Sequence, residues 1–405
     1  MAQTLKFGNK TWATKVGSTL AYNDENGNYK PLPFAFTRST SATRVNKEGL
    51  IEVVTNDRPR IDYTDTSDGV LLLEKAATNR FLYSEDLTQF DLNSSGTGAS
   101  NPVVTSNYGI SPDGTQNADR VQLDAGTDNS GNSRITETFT IFATTETISV
   151  YLKSNDGQEH TIDIIQSNSP QNTATVTSEW QRFSFTNVNN SPDKYGIGLT
   201  SSNGETADIL AWGFQLEQNS VASSYIPTQG SASTRVAETA TGAGNSEVLN
   251  DSQGVLFADI AALANDDVNR FITISDGSTS NRVALRIDSD NKIGGFVTDG
   301  TSQASFRYEM NTLNFTRVAI KYKVNDFALW VNGFEVLTDF VGSTPSGLNV
   351  FDFKNADNTN DFYGKTKELG YYNTILTDLE LETLTSYKSW TSMVNELNLN
   401  IIYNG

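Results

Sequence analysis

Residues 36–54 read Phe36-Thr-Arg-Ser-Thr-Ser-Ala-Thr-Arg-Val-Asn-Lys-Glu-Gly-Leu-Ile-Glu-Val-Val54, and Arg58-Pro-Arg-Ile-Asp-Tyr63 and Gly69-Val-Leu-Leu-Leu-Glu74 follow. Short apolar segments alternate here with Thr, Ser and Arg and end at turn residues, which is typical of short β-strands. The stretch contains no arrangement that is typical of a catalytic site. It favours an all-β protein that works through its surface.

The composition of the chain fits this interpretation. With 405 residues the chain is longer than one ordinary domain, and its length predicts two to four domains. The 21 Phe, 15 Tyr and 5 Trp supply large apolar surfaces for several cores, so a mainly disordered chain is not expected.

Several classes of protein are disfavoured by the sequence. Cysteine is absent, so disulfides and thiolate metal sites do not hold the fold together. No apolar run approaches the ~20 residues that cross a bilayer. Residues 1–8 lack the pattern of a signal peptide, which predicts synthesis in a cytoplasm without export by that route. The net charge of -19 argues against a nucleic-acid partner.

Residues 1–90 are predicted to form a β-rich anchor region with a locally basic start. Residues 1–50 contain more basic than acidic side chains, namely Lys6, Lys10, Lys15, Lys30, Arg38, Arg44 and Lys47 against Asp24, Glu25 and Glu48. A solvated basic face explains this excess. A docking arm for an acidic partner surface is the alternative.

Residues 91–230 are predicted to form a β-sandwich of the jelly-roll type. Alternation of apolar and polar residues is clear in Ile148-Ser-Val-Tyr-Leu152 and Trp180-Gln-Arg-Phe-Ser-Phe185, as in strands with one buried face. The predicted strands are Arg120–Leu123, Ile135–Ile141, Ile148–Leu152, Thr161–Gln166, Ala174–Thr177, Arg182–Phe185, Tyr195–Thr200 and Ile209–Leu216.

A linker is predicted at 231–246 and a second sandwich at 247–376. The strongest turn signal is Asn332-Gly333, because this pair readily adopts the positive φ angles of a type I′ hairpin. The predicted strands are Val255–Ile260, Phe271–Ile274, Val283–Ile287, Ile293–Val297, Thr316–Tyr322, Ala328–Val331 and Glu368–Tyr371.

Residues 377–405 are predicted to be a short helical tail. Thr377-Asp-Leu-Glu380 has the pattern of a capping box, and Leu381, Leu384 and Tyr387 continue an apolar stripe. A second short helix is predicted from Ser389, and the apolar end Ile401-Ile-Tyr403 is expected to pack on a neighbour.

Several of these motifs resemble bacteriophage virion fibre and spike proteins of heads or tails. The opening stretch resembles the start of such proteins. Four segments are similar to markers of their carbohydrate-binding-module-like jelly rolls: Ser111–Asp119, Glu179–Ser184, Trp212–Glu217 and Ser224–Thr228. Ser231–Val236 echoes Ser41–Val45, and Phe315–Gly333 resembles concanavalin-like and laminin-G-like lectin sandwiches.

The resemblance implies a structural protein on the virion surface that serves host attachment. It implies that the N-terminal region docks to capsid or tail proteins, that the chain self-associates as a homotrimer, and that the sandwiches bind host-surface or mucosal glycans. It implies neither a nucleic-acid partner nor membrane insertion. A secreted or cell-surface lectin with the same modules, and a polysaccharide-cleaving depolymerase, remain the alternatives.

Catalysis is not expected from the residues themselves. His160 is the only histidine, no Gly-x-Ser-x-Gly segment supplies a nucleophile, and zinc is implausible with one His and no Cys. Among 48 acidic residues a chance carboxylate pair is no indication of a hydrolase.

Carbohydrate binding needs only an aromatic platform flanked by Asn, Asp or Gln. Tyr108, Tyr195 and Tyr363 are the candidates, because they adjoin loop-like sequence, whereas Trp180, Trp212 and Trp330 are expected in cores. No cofactor is expected. Structural calcium is possible in the loops Asp266-Asp267 and Asp288-Ser-Asp-Asn-Lys292, for which an ordinary Asp/Asn turn is the alternative.

Overall fold

The computed structural model describes residues 4–8, 11–23, 28–128, 130–139, 145–166, 169–188, 193–387, 389 and 393–394. The chain divides into two compact units. Unit 1 consists of Met1–Ser39, Val54–Lys75 and Ala237–Gly405, and unit 2 consists of Thr40–Val53 and Ala76–Val236. Residues 1–90 therefore contribute to both units.

The strands and helices follow in chain order. The first nine strands are β1 (Leu5–Gly8), β2 (Thr14–Lys15), β3 (Ser18–Asn23), β4 (Asn28–Thr37), β5 (Ala42–Val45), β6 (Ile51–Val54), β7 (Arg60–Asp62), β8 (Val70–Leu73) and β9 (Ala77–Asn79). A 3₁₀ turn at Leu87–Gln89 precedes β10 (Asp91–Ser95), β11 (Ser100–Gly109), β12 (Ala118–Asp124), β13 (Asn132–Phe139), β14 (Thr145–Ser154), β15 (His160–Gln166), β16 (Ser169–Val176), β17 (Gln181–Val188), β18 (Asp193–Thr200) and β19 (Thr206–Glu217). The remaining elements are β20 (Ser233–Arg235), β21 (Thr239–Thr241), β22 (Gln253–Ala262), β23 (Arg270–Ser275), β24 (Asn281–Ile287), β25 (Ile293–Asp299), β26 (Thr301–Tyr308), β27 (Thr316–Lys323), β28 (Phe327–Val331), β29 (Phe334–Asp339), β30 (Val350–Asp352), β31 (Gly364–Tyr372) and α1 (Asp378–Thr385).

Unit 2 is a β-sandwich of two antiparallel sheets. Their strand orders are β10-β13-β18-β15-β16 and β11-β12-β19-β14-β17. Alternate residues of both sheets meet in one core, for example Val150 and Ile209 from one sheet and Ile164 and Ile197 from the other. The small hairpin β5–β6 and the strand pair β9–β20 complete the small sheets of the described residues.

Unit 1 is a second sandwich, with a large sheet facing a smaller one. In the described residues the large sheet follows the order β21-β4-β3-β1-β31-β22-β27-β28-β29, with β2 beside β3 and β7–β8 beside β31. The smaller sheet has the order β26-β25-β24-β23-β30. Leu256 and Ile320 of the large sheet meet Val283 and Val297 of the smaller one in a continuous core.

A buried cluster of charges ties together segments of unit 1 that are distant in sequence. The Glu238 carboxylate accepts hydrogen bonds from Arg38 Nη1 at 2.6 Å and from Arg60 Nε at 2.8 Å. Arg60 also forms an ion pair with Glu74 at 2.8 Å. Burial opposes the charged form of Arg60, but the two carboxylates outweigh this effect and raise its pKa. The two arginines and two glutamates balance in charge, which offsets the cost of burying them.

The all-β prediction, with two sandwiches and a short C-terminal helix, is confirmed. Within the described residues, the predicted strands of both sandwiches overlap observed strands; residues 140–141 of the predicted strand Ile135–Ile141 lie outside the described residues. Strands β10, β11, β26 and β30 were not predicted. All four lie at sheet edges; β10, β11 and β26 are rich in polar residues, and β30 is only three residues long.

The predicted turn and cap chemistry is also confirmed. Asn332 and Gly333 have φ angles of 48° and 92° between β28 and β29, as a type I′ hairpin requires. Thr377 caps α1 with a reciprocal capping box to Glu380, and Leu381 and Leu384 are buried. The predicted second helix and the apolar segment 401–403 lie largely or wholly outside the described residues. No helix within the described ranges is long and apolar enough to span a membrane.

Candidate functional site

The four jelly-roll markers converge on one small aromatic cluster in unit 2. Trp212 is buried, and its ring lies 4.5 Å from that of Tyr225 and 5.5 Å from that of Tyr151. Ile51 of the hairpin β5–β6 and Ala118 of β12 complete the cluster. The cluster fixes the Ser111–Asp119 and Ser224–Thr228 segments to the end of the sandwich.

Beside this cluster lies an open pocket of about 470 Å³, which is the candidate binding site. Three chain segments line it: the turn around Tyr83–Thr88, the end of β11 with the start of β12, and the segment Pro227–Gln229. The lining consists of one aromatic ring, one proline, three carboxyl groups, three amides and three hydroxyl groups, namely Tyr83, Pro227, Glu85, Asp86, Asp119, Asn107, Asn117, Gln229, Thr88, Ser106 and Thr228.

Asp119 organises the floor of the pocket. Its carboxylate accepts the backbone N–H of Leu87 at 2.8 Å and that of Asn107 at 2.8 Å. Asn107 has a φ of 52°, which turns the backbone toward this carboxylate. Burial raises the pKa of Asp119, although the two backbone N–H groups act in the opposite direction. Asp119 therefore fixes two of the three lining segments relative to each other.

Glu85 is held in a similar way on the wall. One oxygen accepts from Tyr225 Oη at 2.7 Å and the other from Asn117 Nδ2 at 3.1 Å. Burial raises the pKa of Glu85, and the nearby carboxylates of Asp113 and Asp119 add to this effect. The Tyr225 hydroxyl connects Glu85 to the aromatic cluster, so the pocket and the cluster form one preorganised structure.

The chemistry of the pocket favours hydroxyl-rich, uncharged ligands. Carboxylates and amide oxygens accept hydrogen bonds from hydroxyl groups, while amide N–H groups donate to ring and hydroxyl oxygens. Tyr83 is half-buried and offers part of its ring as an apolar surface. Among the described residues, the lining includes no Lys or Arg to offset the repulsion between its carboxylates and an anionic ligand.

The three tyrosines predicted as platforms do not come together in this pocket. Tyr195 is 1 % exposed and donates its hydroxyl to Glu146, so its ring faces the core of unit 2 and is closed to a ligand. Tyr108 is 46 % exposed, but the Arg120 guanidinium covers its ring at 5.1 Å. Tyr363 is half-buried in unit 1, and its hydroxyl lies 3.3 Å from Asp361.

The other residues singled out from the sequence have structural roles. Trp212 and Trp330 are buried as expected, whereas Trp180 is only half-buried at the edge of the aromatic cluster and donates to the backbone oxygen of Ile110 at 3.0 Å. His160 begins β15, an inner strand of its sheet, and contacts Asp156 at 2.9 Å.

The two acidic loops carry ion pairs with arginine. Arg307 pairs with Asp288 at 2.6 Å and with Asp290, while Arg270 pairs with Asp266. Among the described residues, no group of three or more acidic or histidine side chains is placed to hold a metal ion.

Sequence reasoning missed Tyr83, Glu85 and Asn107 as site residues. From the sequence, Tyr83 and Glu85 belong only to the predicted anchor region 1–90, and nothing local shows that this segment meets β12. Asp119 and Thr228 do lie in the marker segments, so those markers are the signal that points to this end of the sandwich.

No protein-family model matches the chain, and no curated protein matches it. Similar solved structures include the CBM40 of the IT-sialidase of Ruminococcus gnavus bound to α2,3-sialyllactose, at 18% identity and a TM-score of 0.31, covering 36% of this chain and 94% of that one. Domain 4 of AbnA, a GH43 extracellular arabinanase from Geobacillus stearothermophilus in complex with arabinotriose, matches at 11% identity and a TM-score of 0.31 and covers 40% of this chain and 81% of that one. The Trypanosoma rangeli sialidase in complex with sialic acid matches at 9% identity and a TM-score of 0.29 over 91% of this chain and 65% of that one. Similarity at this level assigns no activity to the chain.

Proposed function

We propose that the protein is a non-enzymatic, glycan-binding subunit of a phage fibre or spike. In this proposal the pocket of unit 2 binds an uncharged saccharide on a host or mucosal surface. The observation that carries the proposal is the lining of the pocket, where carboxylates and amides held by neighbouring groups surround the half-buried Tyr83. Such a wall pairs the hydroxyl groups of a sugar with acceptors and donors, while the aromatic ring covers its apolar face.

A glycan array probed with the full chain, followed by calorimetry on the best neutral oligosaccharide, tests the binding. Tyr83→Ala removes the aromatic surface and is expected to weaken binding by about tenfold or more, since burying such a ring contributes ~1.5–3 kcal/mol. Tyr108→Ala is the matched control, because it removes an exposed tyrosine of the same unit outside the pocket lining. Equal losses of affinity in the two variants, or no binding to any glycan on the array, would count against this pocket as the binding site.

Hydrolysis of a polysaccharide is the second candidate, because Glu85 and Asp119 both have raised pKa values within one pocket. Their hydrogen bonds favour binding instead. Both oxygens of Asp119 accept backbone N–H groups, and both oxygens of Glu85 are bonded by Tyr225 and Asn117. A general acid needs a carboxyl group that is free to exchange a proton with the leaving oxygen. Steady release of reducing ends from capsule polysaccharide, abolished by Glu85→Gln, would replace the adhesion proposal with an enzymatic one.

The virion part of the proposal is supported by the sequence resemblance to fibre and spike proteins. In it the N-terminal region docks to other virion proteins and the chain forms a homotrimer on the particle surface. Lys15 and Lys47 are exposed and belong to the basic start of the chain, whereas Arg38 is buried against Glu238. Docking through basic surface side chains must therefore use residues such as these lysines.

Mass spectrometry of purified particles tests for the chain on the virion, and light scattering tests for the trimer. If the basic start docks, the double variant Lys15→Glu and Lys47→Glu lowers the copy number per particle, while Lys323→Glu in unit 1 leaves it unchanged. If the double variant reaches the wild-type copy number per particle, these lysines do not dock the chain.

A further inference from the structure

The outer face of the smaller sheet in unit 1 carries a second cluster of aromatic and charged residues. Ala284 on β24 lies opposite Phe296 on β25 and opposite Thr273 on β23. Because alternate residues of a strand share a face, Arg282 and Arg286 project on the same side as Ala284. Val283 and Leu285 project to the other side, into the main core of unit 1.

The two arginines contact one aromatic ring. The guanidinium carbons of Arg282 and Arg286 lie 4.5 Å and 5.4 Å from the centre of the Phe296 ring. The Phe271 ring packs edge-on against Phe296 at 5.7 Å. Phe271 and Phe296 are each only 7 % exposed, so the rings form an apolar floor beneath partly buried guanidinium groups. Stacking on a ring orients a guanidinium and leaves its N–H donors at the edge free to bind.

Arg286 is half-buried, yet unlike four other arginines of unit 1 it pairs with no carboxylate of the described residues. Arg60, Arg270, Arg307 and Arg317 each form an ion pair with a carboxylate. Among the described residues, the Arg286 guanidinium makes neither a hydrogen bond nor an ion pair, and its buried Nε has no acceptor. Arg282 Nε likewise has none, although Arg282 Nη1 donates to Asn355. Burial lowers the pKa of both arginines, so neighbouring carboxylates do not offset the cost of burying these charges.

The nearest carboxylates are occupied by other groups. Asp288 is within electrostatic range of Arg286, but one of its oxygens accepts from Arg307 Nε and the other from the backbone N–H groups of Asp290 and Lys292. Asp357 is within range of Arg282 and accepts from Thr359. The cluster therefore holds a partly buried positive charge that lacks a counter-ion in direct contact.

We propose that the Arg282–Phe296–Arg286 cluster binds the carboxylate or sulfate group of a short acidic saccharide. The planar fork of Arg286 matches such an oxyanion, and a charge-assisted hydrogen bond is strongest where the donor is partly desolvated. Ser305 lies opposite Phe296 and Thr298 lies opposite Arg282 in the sheet, so polar side chains that suit a hydroxyl-rich ligand flank the cluster. The net charge of -19 repels extended polyanions, which limits the ligand to a single oxyanion or a few. This site is independent of the unit 2 pocket and has the opposite charge preference.

Calorimetric titration of the full chain tests the proposal with four probes: a glucuronate-containing disaccharide, a sulfated disaccharide, a neutral disaccharide and sodium sulfate. The acidic disaccharides are expected to bind, with an affinity that falls as salt is added, while the neutral one does not bind at this site. Arg286→Gln is expected to weaken the binding of the acidic disaccharides by at least about tenfold. Arg286→Lys restores only part of the affinity, because an ammonium lacks the two-donor fork.

Two controls separate the site from general effects. Arg120→Gln removes an arginine that also covers an aromatic ring but is paired with Asp208, and it should leave acidic-sugar binding unchanged. Tyr83→Ala, which tests the neutral pocket, should also leave it unchanged. If Arg286→Gln unfolds the chain, Arg282→Gln supplies the same comparison. Unaltered binding in a folded arginine variant would overturn the site, and equal affinity for sodium sulfate and the disaccharides would overturn its assignment to saccharides.

Discussion

Glu238 is the side chain on which the buried charges of unit 1 depend, because it contacts both Arg38 and Arg60 and accepts the backbone N–H of Glu74. Replacing it with Gln leaves two buried guanidinium groups with one remaining carboxylate, Glu74. Removing one partner of a buried ion pair costs about 3–5 kcal/mol, since the other charge stays desolvated.

We therefore expect Glu238→Gln to lower the free energy of unfolding by about 3–5 kcal/mol in urea denaturation. The matched control is Glu52→Gln, which breaks the partly exposed pair with Arg44 and should cost at most about 1 kcal/mol. If both variants lose a similar free energy of unfolding, burial of an ion pair does not determine how much it stabilises the fold.

Glu137 on β13 gives unit 2 a dependence on pH. Burial raises the pKa of Glu137 from 4.5 to about 7, and the Asp91 carboxylate adds to the shift while the backbone N–H of Leu82 opposes it. A carboxyl group with a raised pKa binds its proton more tightly in the folded state than in the unfolded state. Its contribution to stability is therefore present below about pH 4.5 and is lost as the pH rises to about 7.

The melting temperature of the Glu137→Gln variant should consequently fall less than that of the wild-type chain between pH 4.5 and 7. Glu159→Gln changes an exposed carboxyl group of the same unit and serves as the control. Parallel melting curves of wild type and Glu137→Gln across this pH range would contradict the assignment.

At the scale of the element, the close packing of β18 against β13 depends on two glycines in β18, which have no Cβ atom to clash with β13. A Cβ atom on Gly196 would lie 2.0 Å from the backbone oxygen of Ile135, and one on Gly198 would lie 3.0 Å from that of Ser133. Neither oxygen can move without breaking the ladder between the two strands.

Gly196→Ala is therefore expected to destabilise the chain by about 1–3 kcal/mol or more in thermal or urea unfolding, as overpacking does. Gly157→Ala is the control, since its added Cβ meets no atom within 4 Å and only its φ of 76° opposes the change. If Gly196→Ala lowers the free energy of unfolding no more than Gly157→Ala does, the two strands accommodate the added Cβ atom without cost.

The elements show where prediction from the sequence succeeds and where it fails. Period-two alternation identifies β14 and β17, and the Asn332–Gly333 turn and the Thr377 cap are determined by local chemistry. Burial of Tyr195 is not apparent from its neighbours, because it results from the packing of Glu146 and Phe139 against it. The pocket brings together residues 83–88, 106–119 and 227–229, and contacts over such sequence distances have no local signature.

At the scale of the whole molecule, the chain crosses between its two units several times, yet each unit has its own core. Ile51 is 8 % exposed and packs in the aromatic cluster of unit 2, so Ile51→Ala should cost about 2–5 kcal/mol there. In hydrogen exchange, Ile51→Ala is expected to deprotect β14 and β19, while Glu238→Gln deprotects β7 and β8. Loss of protection in the same strands for both variants would show that the units unfold as one.

Leu5–Gly8 pairs with Gly364–Tyr372, so this part of the large sheet can form only late in synthesis. At roughly 5–20 residues per second, a ribosome takes on the order of 20–70 s between the two partners. Unit 2 emerges completely well before that time, so the nascent chain carries one finished module while β1 has β3 but not yet β31 beside it. A premature stop codon before Gly364 would leave that edge of β1 without its partner, and the truncated product is expected to aggregate or to be degraded by proteases.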